Sequence, residues 1–309
     1  MGGYFEIELP ILKEYYPELI GLNSARNCLK YIIKAKKINS LFVPYYTCKA
    51  ILDVLKGENC QINFYSIGLD FLPMQDFPVN SWILYTDYFG TNHKNVLKIT
   101  SKYKNIIIDN AQAFYSSPIE DVDTFYSPRK FFGVPDGAYL QTSKKLNNKF
   151  ETDTSFNRFS HLLKRVDLGA QAGYEDFLLS EKSLEGQPIK HMSNLTRKML
   201  ISIDYMNIKN LRLRNFRFLD RYLNSVNELK ISLGPKDVPM AYPLLIKDQK
   251  LRAKLHKNNI YVPTYWPEME KWVEKNSFEL YLKKYLIPLP IDQRIGINQL
   301  KKYLRLILH

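Results

Sequence analysis

Through its first half the chain alternates short apolar runs with helical patterns, and that alternation restricts the fold more than any other feature. Leu41-Phe42-Val43, Ile62 to Tyr65, Trp82 to Tyr85, Asn105 to Ile108, Asp123 to Tyr126 and Ala138-Tyr139-Leu140 have the length and composition of strands. Ser24 to Lys36, Thr47 to Leu55 and Lys94 to Tyr103 have helical spacing. Strands separated by helices imply a mostly parallel sheet covered on both faces, because parallel neighbours need a crossover connection. From about Ser193 the pattern becomes one long helix, to roughly Val226. Strands near Ile231 and over Tyr242 to Ile246 follow, then a final helix from Asn298. In that helix Leu300, Tyr303, Leu304 and Ile307 recur at i, i+3, i+4 and i+7, an apolar face for docking. The expected architecture is an α/β large domain over residues 1–200 and a smaller α+β domain over 201–309.

No apolar run approaches the ~18 residues of a membrane span. Met1 to Glu8 lacks the basic and apolar regions of a secretory leader, and Gly2 lacks the Ser/Thr pattern of an acyl acceptor. A cytoplasmic protein with no membrane span is the expectation. Cys28, Cys48 and Cys60 are odd in number and widely spaced, which argues for reduced thiols rather than a disulfide framework. The net charge of +13, from 44 basic and 31 acidic residues, is scattered apart from one run between Lys209 and Arg221. That run reads as a helix with a solvated basic face, so nucleic acid is not expected as a partner. An anionic small substrate fits the charge better.

Chemistry concentrates between Asn105 and Thr142. Asp109 closes the run Ile106-Ile107-Ile108, and Ser127, Arg129 and Lys130 follow the run Val122 to Tyr126. An acid and a lysine that close neighbouring parallel strands can converge at the carboxyl edge of the sheet, where ligands of open α/β sheets bind. The apolar stretch Phe131-Phe132-Gly133-Val134-Pro135 suggests a desolvated Lys130, whose neutral amine could attack a carbonyl. A buried carboxylate beside an imine-forming lysine is what pyridoxal phosphate requires. Gly21 to Asn27 opens the first strong helix, and a helix start there could bind a phosphate through its free N–H groups, helped by Ser24, Arg26 and Asn27. The alternative is that Ser24 is an ordinary helix cap.

These segments resemble, in order along the chain, the DegT/DnrJ/EryC1/StrS family of pyridoxal-phosphate-dependent sugar aminotransferases, of aspartate aminotransferase type fold. The resemblance rests on Asn23-Ser24-Ala25-Arg26-Asn27, Val43-Pro44-Tyr45-Tyr46-Thr47, Tyr88-Phe89-Gly90, Asp109-Asn110-Ala111-Gln112-Ala113, Ser127-Pro128-Arg129-Lys130 with Asp136-Gly137-Ala138, Tyr265-Trp266-Pro267, and Leu289 to Arg294. It implies that Lys130 forms the imine and shuttles the proton, Asp109 holds the pyridine nitrogen protonated, and Gln112 contacts the ring's 3′-oxygen. It also implies that Ser24, Ala25, Arg26, Asn27, Ser127 and Arg129 surround the phosphate. The position that is often aromatic and stacked on the ring is Cys48, which leaves Tyr46, Tyr88 or no ring at all as the stack. The asparagine through which a partner subunit touches the phosphate is missing near Ile189 to Met192, leaving Lys190 or His191 to substitute. The lysine loop is shortened, with Ser127 three residues before Lys130.

By resemblance the chain is a homodimer that transfers an amino group from glutamate to a nucleotide-linked keto-sugar, for bacterial surface polysaccharide, lipopolysaccharide or O-antigen synthesis. Two alternatives stand beside it: an enzyme of the same fold and cofactor with a different acceptor, and a non-catalytic member acting as a binding protein. No metal is expected, since His93, His161 and His191 lack ligand spacing.

Overall fold

The computed structural model describes residues 3–308; Met1, Gly2 and His309 lie outside them, including the Gly2 on which the acylation reading falls. A seven-stranded sheet in the order β1-β7-β6-β5-β4-β2-β3 forms the body. Its strands are β1 (Ile20–Leu22), β2 (Ser40–Pro44), β3 (Gln61–Tyr65), β4 (Ile83–Thr86), β5 (Ile106–Asn110), β6 (Asp123–Tyr126) and β7 (Ala138–Gln141). Strands β2 to β6 are mutually parallel, and β7 is antiparallel to both β6 and β1, so β1 and β6 point the same way. The sequence reading missed β1, whose three residues, Ile20-Gly21-Leu22, are too few to show a period.

Helices α1 (Ala25–Lys36), α2 (Lys49–Gly57) and α3 (His93–Lys102) supply the crossovers. Leu29, Ile32 and Ile33 of α1 and Ile51 and Leu52 of α2 pack with Leu41, Val43, Leu84, Ile107 and Phe125 of the sheet. A second cluster is mainly aromatic, with Tyr46, Tyr88, Phe89, Phe114, Phe131 and Phe132 buried together. Then come α4 (Ser160–Asp167), α5 (Tyr174–Ser183), α6 (Asn194–Leu200) and α7 (Tyr205–Leu223). The long helix expected over Ser193 to Val226 is therefore two helices. Asp204 breaks it by accepting from Asn207 N with its side chain, so that a fresh helix starts at Tyr205.

The last third adds β8 (Ala241–Leu245), α8 (Leu251–Lys257), α9 (Phe278–Tyr285), β9 (Leu286–Pro290) and α10 (Ile297–Leu308). Strands β8 and β9 pair antiparallel as a two-stranded sheet, with Pro243 opposite Pro288. A two-stranded sheet has only edges, which is where proline is tolerated and why the Pro-rich run of β9 was not legible as a strand. Leu300, Tyr303 and Leu304 of α10 dock on this sheet as their spacing predicts, together with Phe216, Leu219 and Leu223 of α7. The strand expected near Ile231 is irregular chain instead, and its Ile231 side chain packs against the core.

One turn joins the two sheets. Met240 N donates to Phe89 O at 2.7 Å, and Gly90 has φ of +66°. A Cβ at Gly90 would lie 2.6 Å from Val238 O and 2.9 Å from Gln112 O, both backbone atoms. Gly90→Ala therefore combines a left-handed backbone with two clashes that cannot be relieved by rotating a side chain. It is expected to cost about 3 kcal/mol or more, measured by urea unfolding.

Candidate active site

The parallel strands and β1 deliver their carboxyl ends to one edge of the sheet. Asn23 and Ser24 follow β1, Thr47 and Cys48 lie beyond β2, Tyr88 follows β4, Asp109 closes β5 and Ser127 follows β6. Thr86 and Phe125 flank Asp109 in register. Ser127 leads into one turn of 3-10 helix, Pro128–Lys130, where Lys130 N donates to Ser127 O at 3.2 Å. The shortened lysine loop is thus a single tight turn set directly on the end of β6.

Asp109 is buried, and its Oδ1 accepts from Ala111 N at 2.8 Å. Burial pushes its carboxyl up to about 6, opposed by the Ala111 N–H and the charge of Lys130. The Cys48 thiol is raised by burial and by the Asp109 charge, and lowered by Lys130 and Arg26, which places all four groups in one electrostatic neighbourhood. Cys48 itself is partly exposed. Lys130 is exposed. The desolvation expected from Phe131-Phe132-Gly133-Val134-Pro135 is absent, because those side chains turn into the aromatic core and leave the amine at the crevice.

The lysine turn is anchored from behind. Phe131 O accepts from Gln293 Nε2 at 3.0 Å and from Arg212 Nη2 at 3.4 Å, and the Arg212 guanidinium lies 4.5 Å from the Phe131 ring centroid. Arg212 is buried and also donates to Met240 O at 2.9 Å; burial lowers it to about 10. The Leu289 to Arg294 segment, noted for its resemblance, thus reaches the lysine turn through Gln293.

The expected phosphate cradle is only partly assembled as anticipated. Ser24 Oγ accepts from Asn27 N at 3.2 Å, so it is the helix cap. Asn27 does not offer its side-chain amide to a ligand: Nδ2 donates to Asn23 Oδ1 and to Pro188 O, both at 2.8 Å. That network continues through Asn23 Nδ2 to Asp153, which pairs with Arg158 at 2.8 Å. It fastens the chain before α6 to the start of α1, a role that local spacing could not reveal. Ala25 and Arg26 are partly exposed in the first turn of α1, and Arg129 is partly exposed beside Lys130. Ser127 is buried behind the turn. Lys190 pairs instead with Glu151 and Asp153, both at 3.9 Å, and the His191 backbone bridges Leu22 and Thr152.

Neither candidate stacking ring has an open face. Tyr88 is 1% exposed, with its hydroxyl donating to Tyr46 O at 2.8 Å, and Tyr46 is fully buried under Tyr88 and Trp266. Gln112 is buried with Oε1 accepting from Phe89 N at 2.9 Å, so any ligand contact must come from its NH2 group. Trp266, partly exposed, meets Tyr46 edge-on at 4.9 Å, and Trp272 Nε1 donates to Tyr45 O at 3.0 Å. These aromatics pack the last third of the chain against the segment after β2.

Beneath it lies an acid pair that the sequence did not announce. Asp87 accepts from Asn92 N at 3.1 Å and Ser116 Oγ at 3.3 Å, and Asp237 accepts from His93 N at 3.1 Å. Burial, then the neighbouring Asp237, pushes Asp87 up to about 7. An unfolded Asp titrates near ~3.9. Because the folded form keeps its proton to higher pH, this stabilisation is complete below about pH 4 and is lost as pH rises through about 7. The loss is on the order of 4 kcal/mol. Thermal stability of the wild type should fall between about pH 4 and about pH 7, and Asp87→Asn should flatten that slope.

No protein-family model and no curated protein matches the chain. Solved structures do. A DegT DnrJ EryC1 StrS aminotransferase from Brucella abortus superimposes with a TM-score of 0.59 at 15% identity, covering 94% of this chain and 85% of that one. DesV of S. venezuelae, in complex with a ketimine intermediate, gives 0.62 at 14% identity over 93% and 83%. Helicobacter pylori PseC, an aminotransferase involved in the biosynthesis of pseudoaminic acid, gives 0.59 at 14% over 93% and 85%. The chain has the fold of these proteins, the aspartate aminotransferase type expected from its sequence.

Proposed function

We propose that this chain is a pyridoxal-phosphate-dependent aminotransferase that passes an amino group from an amino acid, glutamate by resemblance, to a nucleotide-linked keto-sugar. The observation that carries the reading is the meeting of Asp109 and Lys130 at adjacent strand ends, within electrostatic reach of each other and of Arg26. The residues present fit the cofactor: a buried carboxylate for a ring nitrogen, an exposed amine for a carbonyl, and guanidiniums at the start of α1 and on the lysine turn for a phosphate. Bound there, pyridoxal phosphate would supply the electron sink that stabilises negative charge on a substrate carbon.

The chain's own groups do the rest. Asp109, kept from water by the ends of β4 and β6, would hold a proton at the ring nitrogen. Lys130, free to swing from its 3-10 turn, would carry the proton at the substrate carbon. Arg26 and Arg129, with the first N–H groups of α1, would hold the phosphate. Cys48, in place of a large ring, would leave more room above the cofactor. That PseC, an aminotransferase involved in the biosynthesis of pseudoaminic acid, shares this fold favours a sugar acceptor. The excess of basic residues suits a nucleotide diphosphate.

The same proposal includes a division into domains at residues 1–200 and 201–309, a cytoplasmic setting in a bacterium making surface polysaccharide, and a homodimer. Among the described residues no helix is long and apolar enough to cross a membrane. Val166, Leu168 and Leu179 on and beside α4 and α5, and Tyr4, Phe5 and Ile11 of the N-terminal segment, are large apolar side chains left exposed, as a second copy would cover. The test is direct. Protein loaded with pyridoxal phosphate should lose its visible absorption on adding glutamate and release 2-oxoglutarate. A panel of nucleotide-linked keto-sugars, read by mass, should then identify the acceptor. No amino-acid-dependent spectral change with any common donor would sink the aminotransferase reading.

A further inference from the structure

Glu181 of α5 stands where an anionic ligand would have to go. Its Oε2 lies 3.6 Å from Arg26 Nη2, and its Oε1 accepts a hydrogen bond from Arg129 Nη2. Lys130 adds a third positive charge to the same neighbourhood. One guanidinium comes from the first turn of α1 and the other from the lysine turn, so a single carboxylate bridges the two elements that frame the crevice. The Glu181 side chain is 33% exposed, against 24% for Arg26 and 14% for Arg129, so the bridge faces solvent and a ligand can approach it.

The helix that carries Glu181 is suited to moving. It packs on α4 and on the turn Phe156–Arg158, and it exposes Tyr174, Phe177, Leu178 and Leu179. A carboxylate between two arginines is the arrangement that a phosphate would itself adopt, with charge-assisted hydrogen bonds from both forks. The two anions cannot share the forks, because their charges repel at contact distance.

We propose that Glu181 is an internal competitor for the Arg26–Arg129 anion site, covering it until a phosphate monoester or inorganic phosphate displaces the carboxylate. The competitor lowers the apparent affinity of the site by the fraction of time it is covered. Glu181 then sets how tightly phosphate-bearing ligands are held and ties their arrival to release of α5. That this ligand is pyridoxal phosphate rests on the functional reading above; the anion site and its cover do not.

Inorganic phosphate separates the two. Titrated by calorimetry, Glu181→Gln should bind it about tenfold or more tighter than the wild type, since the amide keeps the shape and loses the charge. Adding Arg129→Gln to that variant should cancel the gain. Glu181→Asp, too short to bridge both arginines, should fall between wild type and Glu181→Gln, and it keeps the test alive if the amide variant misfolds. Circular dichroism controls for folding. Phosphate bound no tighter, or more weakly, by both variants would overturn the proposal and make Glu181 a structural strut. Tighter phosphate binding without any binding of pyridoxal phosphate would uphold the covered anion site and refute the cofactor reading.

Discussion

Lys130→Ala is expected to lower amino transfer by about a thousandfold or more, because it removes both the amine that would hold the cofactor carbonyl and the group that would move the proton. The substitution should leave the fold intact. Lys130 is exposed, its backbone N–H bonds Ser127 O whatever the side chain, and the turn is held from behind by Phe131 O on Gln293 and Arg212. Unfolding midpoints equal to the wild type together with lost activity would therefore locate the defect in chemistry. Retained activity in this variant would mean that Lys130 is not the reacting amine.

Asp109→Asn should cost about 3–5 kcal/mol of interaction with a protonated ring nitrogen, the range for removing one member of a buried charge pair. That is a fall in rate of about two to four orders of magnitude. The same change should not harm the apoprotein. Burial makes the Asp109 charge unfavourable, with its carboxyl up at about 6, and an asparagine Oδ1 can still accept from Ala111 N. Loss of activity with equal or greater stability is thus the expected signature. Loss of both would make Asp109 a structural residue.

The sheet was legible because the strands from β2 to β7 are short runs rich in apolar and aromatic residues, and α1, α2 and α3 separate several of them with helical spacing. Asp109 and Lys130 were legible because they end such runs. What stayed hidden depends on contacts distant in sequence. Nothing in Ser180-Glu181-Lys182 signals that Glu181 reaches two arginines from other elements. The commitment of Asn27 to Pro188 is invisible for the same reason, so a residue assigned to phosphate proved to be a fastener. The break at Asp204 was missed because no Gly or Pro marks it and the apolar spacing continues on both sides. The resemblance of Tyr88-Phe89-Gly90 places Tyr88 at the cofactor, but the chain turns at Phe89 and Gly90 and carries the ring into the core.

The central claim is that Lys130 is the amine at which this fold holds a carbonyl cofactor. Wild-type protein incubated with pyridoxal phosphate, reduced with borohydride, digested and mapped by mass spectrometry should carry a single stoichiometric pyridoxyl group, on the peptide containing Lys130. No stable label, or one spread over the other surface lysines with Lys130 unmodified, would contradict it.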